Sequence, residues 1–109
     1  MIVITLMKEN LRRELTLYEM AEHVRLSPWH FCHLFKAETG VPPTQFLKSL
    51  RLDQAKSLLE TTLLSVKEVM SQVGINDESH FVRSFQETYG LSPARYRAWH
   101  FDTAQALEG

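Results

Sequence analysis

Residues 15–46 and 64–96 carry nearly the same pattern twice, which commits the chain to two like units. With Asn76 as one extra residue in the second copy, Leu15 pairs with Leu64, Glu19 with Glu68 and Val24 with Val73. Beyond Asn76, His30 pairs with His80, Phe31 with Phe81, Phe35 with Phe85, Gly40 with Gly90 and Pro43 with Pro93.

Local signals in both copies are helical; strand-like alternation is absent, and Gly and Pro fall only at boundaries. Thr16-x-x-Glu19 and Ser65-x-x-Glu68 read as two capping boxes, in which hydroxyl and carboxylate reciprocally satisfy orphan amides. Each helix so started stops near Arg25 or Gly74. Glycine suits a left-handed turn, whereas Arg25 in the same place bears a modest strain. A second helix start follows at once, Ser27-Pro28 in the first copy and Asp77-Glu78 in the second. There Phe31/Phe35 and Phe81/Phe85 recur at i, i+4 as a core stripe, with Leu34 beside the first pair. The opposite face carries Trp29, His30, Cys32, His33 and Lys36, or Ser79, His80, Val82, Arg83 and Gln86. Gly40 and Gly90 end these helices.

Each copy is therefore a helix-turn-helix. Between them, Thr44 to about Glu60 predicts a longer helix with Leu47, Leu50, Ala55, Leu58 and Leu59 inward. Residues 2–13 should form a first helix and 93 to about 100 a last one. The expected fold is all-α: seven helices, two homeodomain-like helix-turn-helix lobes joined by a long linker helix. The expected boundaries are 1–42 and 62–101 for the lobes, 43–61 for the linker helix, and 102–109 as a disordered tail or cloning remnant ending in LEG.

A 44% hydrophobic content supports a core, and no stretch approaches the roughly eighteen apolar residues of a membrane helix. IVITL is too short for a secretory signal, and one cysteine permits no internal disulfide, so an intracellular setting is expected. The net charge of −1 is unusual for a nucleic-acid binder, but its distribution matters more. Segments 41–59 and 91–100 each carry +2, after the motifs, where cations can hold phosphates, while segment 77–90 carries −2. Weak non-specific affinity is expected, with full affinity needing a second domain or a second copy.

The string RLDQAKSLLETT followed by VKEVMSQVGINDESHFVRSFQETYGLSPARYR resembles the signature of the AraC/XylS family of bacterial transcription regulators. The resemblance covers about residues 5–100 and rests on the spacing Gly74, Phe81, Phe85, Gly90, Pro93, Tyr96-Arg97. It implies two lobes that insert one recognition helix each (about 28–39 and 78–89) into adjacent major grooves of double-stranded DNA. A linker helix of about 25 Å plus the lobes' widths is compatible with one duplex turn of about 34 Å.

By position, the resemblance implies base contacts from Trp29, Cys32 and His33, with His30 and Lys36 at the edge. In the second lobe it implies Glu78, Ser79, Val82 and Arg83, with Gln86 below. Arg83 suits the guanine O6/N7 edge, while Trp29 offers apolar contact to a thymine methyl, sugar contact or mere surface packing. Glu78 either accepts from cytosine N4 or complements the helix start. His33 stands where relatives often carry arginine; as a cation it would bind DNA more tightly as pH falls from about 8 to 6. Helix-start amides and Lys48, Arg51 and Arg95 would take phosphates, whereas Arg97 is as well suited to an internal pair. Departures from the family pattern are Met70 for alanine, His80 for tyrosine and Pro42 for a cap residue.

His30, Cys32 and His33 fall short of the four ligands of structural zinc, and Cys32 has no resolving partner. No phosphate loop, nucleophile triad or paired carboxylate motif is present, so no enzyme activity, metal or cofactor is expected. The expected function is a sequence-specific transcription regulator in the bacterial cytoplasm, nucleoid-associated. As an activator it would also touch RNA polymerase. An effector-binding or dimerisation domain is expected outside this chain; a stand-alone regulator would be more basic. The rival reading is a degenerate helix-turn-helix pair serving as a protein-interaction module, motivated by the acidic second motif.

Overall fold

The computed structural model describes residues 2–108, which form seven helices and no strand. They are α1 (Ile2–Glu9), α2 (Leu17–His23), α3 (Pro28–Thr39), α4 (Pro43–Thr61), α5 (Val66–Gln72), α6 (Glu78–Tyr89) and α7 (Pro93–Glu108). The chain divides into two compact units, Met1–Arg51 and Leu52–Gly109, so the boundary falls inside α4.

The first unit closes on Val3, Met7, Leu15, Met20, Ala21, Phe31, Phe35 and Leu47. Its i, i+4 phenylalanines lie 5.7 Å apart, and Phe46 meets Phe35 edge-on at 5.4 Å. The second unit closes on Leu52, Ala55, Leu59, Val69, Met70, Val73, Phe81, Phe85 and Tyr96. Burying each Val, Leu, Met or Phe of these cores contributes about 1.5–3 kcal/mol against the entropy of ordering it. Met70 occupies the position of Ala21 and is equally enclosed; the second core has room for the longer side chain.

Several boundaries differ from expectation. The first helix ends at Glu9 rather than 13, because Asn10 turns back and donates Nδ2 to the Leu6 carbonyl at 2.8 Å. Helix α7 runs to Glu108, so residues 102–108 are helical and not a disordered tail; DTAQAL holds no Gly or Pro to stop it. Gly109 lies outside the described residues. The linker 43–61 is no separate segment: Leu47 belongs to the first core, and Leu52, Ala55 and Leu59 to the second. Leu50 and Leu58 are only half-buried, while Leu52 takes a core place that the periodicity missed.

Two arginines tie their units together from within. Arg51 donates Nη2 to the Arg13 carbonyl at 3.0 Å, holding the loop before α2. Arg97 donates Nε to the Leu59 carbonyl at 3.2 Å and Nη2 to that of Thr62 at 3.3 Å, capping the end of α4.

Candidate nucleic-acid interface

Both motifs are built by the same local devices. Thr16 and Ser65 sit in extended backbone as N-caps, accepting from the Glu19 and Glu68 amides at 3.1 Å each. Only the second is a closed capping box, because Glu68 reaches back to the Ser65 amide at 3.0 Å. Glu19 instead pairs with Arg13 at 2.8 Å, so the first box stays half-formed. A cation competes for that carboxylate, and among the described residues none pairs with Glu68. Both carboxyls are held below the ordinary range, Glu19 chiefly by the hydrogen bond from Arg13 and Glu68 by that from the Ser65 backbone.

The turn between helices requires left-handed backbone. Gly74 meets this with φ 75°, and Arg25 adopts φ 59° at the equivalent place, which carries the steric cost of a side chain there. The turn closes through Leu26 N to Ala21 O at 3.0 Å and Ile75 N to Met70 O at 2.9 Å. Ser27 then caps α3 by accepting from the His30 amide at 3.2 Å, and Asp77 caps α6 by accepting from that of His80 at 3.0 Å. One amide at each helix start is thus already taken by its own cap.

Inward, Phe31, Phe35, Phe81 and Phe85 are buried. Leu34 is not part of that stripe: it is 48% exposed, while Ser84, its counterpart, is buried. The faces implied as base-reading point outward. Trp29, His30, His33 and Lys36 are exposed and Cys32 is half-buried. Glu78, Ser79, Arg83 and Gln86 are exposed and Val82 is half-buried.

Within α3 the structure brings Trp29 and His33 together. Their rings lie 3.9 Å apart between centroids at 32°, and His33 Nδ1 is 2.8 Å from the Trp29 carbonyl oxygen. His30 meets the other side of Trp29 edge-on at 5.4 Å. The i, i+4 spacing of Trp29 and His33 was visible in the sequence, but its use as a stack was not anticipated. In α6, Arg83 and Gln86 share one open depression with Glu87 and Gly90.

Of the flanking cations, Lys48 and Arg95 are exposed. Arg51 is half-buried; its Nη2 donates to the Arg13 carbonyl and its Nε is buried without a partner. Burial lowers its proton affinity, against the opposing pull of Glu14.

The second unit also holds a polar ladder absent from the expectations. Tyr89 donates to Asp53 and Tyr96 to Glu60, with Lys56 Nζ 5.5 and 5.9 Å from the two ring centres. Desolvation and the Glu60 hydrogen bond push the Tyr96 hydroxyl up to about 12. Tyr89 is raised for the same kind of reason, with Asp53 as its acceptor. Among the described residues no cluster of His, Cys, Asp and Glu could hold a metal ion, and no helix is long and apolar enough to cross a membrane.

A family model described as a helix-turn-helix domain matches residues 20–98. An uncharacterised HTH-type transcriptional regulator of Bacillus subtilis, YfiF, is 34% identical over 96 residues, covering 88% of this chain and 30% of that protein. The MmsAB operon regulatory protein of Pseudomonas aeruginosa is 38% identical over 91 residues, covering 84% and 30%. Among solved structures, the DNA-binding domain of the global transcriptional factor AdpA, in complex with a target DNA, superimposes with a TM-score of 0.87. It is 32% identical, with 98% of this chain and 95% of that one covered. The chain belongs to the AraC/XylS-type helix-turn-helix family and is a DNA-binding domain of that type. It spans about a third of the length of the curated relatives it matches.

Proposed function

We propose that the chain binds double-stranded DNA in a sequence-specific way and regulates transcription from a nearby promoter. Helices α3 and α6 each enter a major groove, and the two grooves are adjacent. The observation that carries this reading is the outward face of each recognition helix. Trp29 and His33 on one, and Arg83 and Gln86 on the other, stand free above buried phenylalanines that set their direction. The likeness to the AdpA domain with its target DNA supports the same reading.

Arg83 reads guanine through O6 and N7; Trp29, Cys32, Glu78, Ser79 and Val82 supply the remaining edge contacts. Lys36, Lys48 and Arg95, with His30 and Gln86 at the margins, hold phosphates and set register. Arg51 contributes by keeping the first lobe's entry loop in place. The acids Asp77, Glu78 and Glu87 of the second motif lower non-specific attraction, so specificity rests on base contacts more than on charge. Contact with RNA polymerase, an effector-responsive domain elsewhere in the intact protein and a place in the bacterial nucleoid belong to this proposal.

The test is in vitro selection from random duplexes followed by mobility shift at fixed salt. One enriched motif of about 15–20 base pairs, spanning two adjacent grooves, is the expected result. Selection of nothing above background would sink the proposal and favour a protein-interaction module.

A further inference from the structure

We infer that His33 makes the first recognition helix selective for a hydrogen-bond donor in the groove: an exocyclic base amine, adenine N6 or cytosine N4. This rests on the proposed placement of α3 in a major groove. A backbone carbonyl can only accept, so the 2.8 Å contact between His33 Nδ1 and the Trp29 oxygen puts the ring proton on Nδ1. In the neutral imidazole the other nitrogen, Nε2, then carries a lone pair and no hydrogen. The two ring nitrogens point away from each other, so Nε2 faces away from the helix backbone.

The Trp29 stack closes one face of the same ring at 3.9 Å. Flipping the ring puts Cδ2 in the place of Nδ1 and forfeits the carbonyl bond, and swinging it out forfeits the stack. His33 is exposed, so the acceptor it presents is open to a ligand. In the major groove only adenine and cytosine offer amine hydrogens; guanine O6 and N7 and thymine O4 offer lone pairs that would repel Nε2. An arginine in this place would do the opposite and seek guanine.

The experiment uses the whole chain at pH 8, above the ordinary imidazole range, on the duplex recovered by selection. Each adenine or cytosine of the first half-site is replaced in turn by an analogue lacking its major-groove amine: purine for adenine, 2-pyrimidinone for cytosine. One replacement should weaken wild-type binding about tenfold, and which analogue does so separates adenine from cytosine. The same replacement should leave His33→Ala and His33→Phe unaffected; the phenylalanine keeps a ring against Trp29 while deleting both ring nitrogens, the acceptor among them. His33→Arg should move the preference at that position to guanine. If no amine deletion on either strand of the first half-site acts through His33, the inference is overturned while DNA binding stands. A selection that enriches no motif overturns both together.

Discussion

The two helix-turn-helix units repeat each other at their buried phenylalanines and part company on their exposed faces. Phe31 and Phe35 have their exact chemical counterparts in Phe81 and Phe85, and Gly40 and Gly90 end α3 and α6 at φ 86° and 87°. A Cβ would meet nothing within 4 Å at either glycine, so backbone conformation alone requires glycine there. Outside the core the first unit presents an aromatic-histidine cluster and the second an arginine among acids. The supports differ too: a strained Arg25 against Gly74, a half-formed box against a closed one. At the last helix of each motif, Pro42 stands against Ser92, which accepts from the Arg95 amide at 3.3 Å. Packing narrows the choice at a buried site, as the four phenylalanines show, although Ala21 and Met70 fill one position differently; an outward face can vary at little cost in stability.

The comparison is broken most severely through the core. Phe35→Ala and Phe85→Ala should each cost about 3–5 kcal/mol in denaturant unfolding. The loss should be larger for Phe85, whose ring also meets Tyr89 at 4.7 Å and Tyr96 at 5.6 Å. Equal losses would show that the aromatic ladder of the second unit adds nothing.

Arg83→Ala should cost about 1–3 kcal/mol of binding and relax one base position, while Lys48→Ala should weaken all duplexes alike and flatten the salt dependence. A uniform loss from Arg83→Ala in a mobility-shift series would reassign it to phosphate.

Alkaline unfolding should weaken the second unit through its tyrosines. Tyr96 has its folded value raised to about 12 against an ordinary 10.0, so its neutral form is the one the fold favours. That stabilisation is complete below about pH 10 and is lost as pH rises toward 12. Spectrophotometric titration of wild type against Tyr96→Phe checks it; an unchanged pH profile in the variant would reject the role given to Glu60.

The smallest effect is the swap of turn residues. Arg25→Gly should stabilise by about 0.5–1 kcal/mol, relief of left-handed strain offset by unfolded-state entropy, and Gly74→Arg should destabilise by a comparable amount. A destabilised Arg25→Gly in thermal melts would mean that the arginine side chain makes contacts that outweigh the strain.

Much of this was legible beforehand because its causes are local. Capping residues at 16, 27, 65 and 77, the turn at Arg25 and the i, i+4 phenylalanines each follow from chemistry within a few residues. Leu34 was misread because helical phase alone does not say how wide the buried stripe is; Ser84 is enclosed at the same position of the other motif. The internal bond of Arg51 was not visible because its partner, the Arg13 carbonyl, lies 38 residues away in sequence.

By itself the sequence determined the duplicated helical grammar: where helices start, where they turn and which aromatic rings go inside, since those depend on backbone sterics and periodicity. Tertiary structure alone decided which polar groups are already spent. Whether Glu19 caps or pairs with Arg13, whether Arg51 and Arg97 are free cations or internal ties, and which nitrogen of His33 faces outward all depend on competition between partners. For Arg51 and Arg97 that competition is settled by partners some 35 to 38 residues away, and for Glu19 and His33 by which of several nearby groups the local geometry favours.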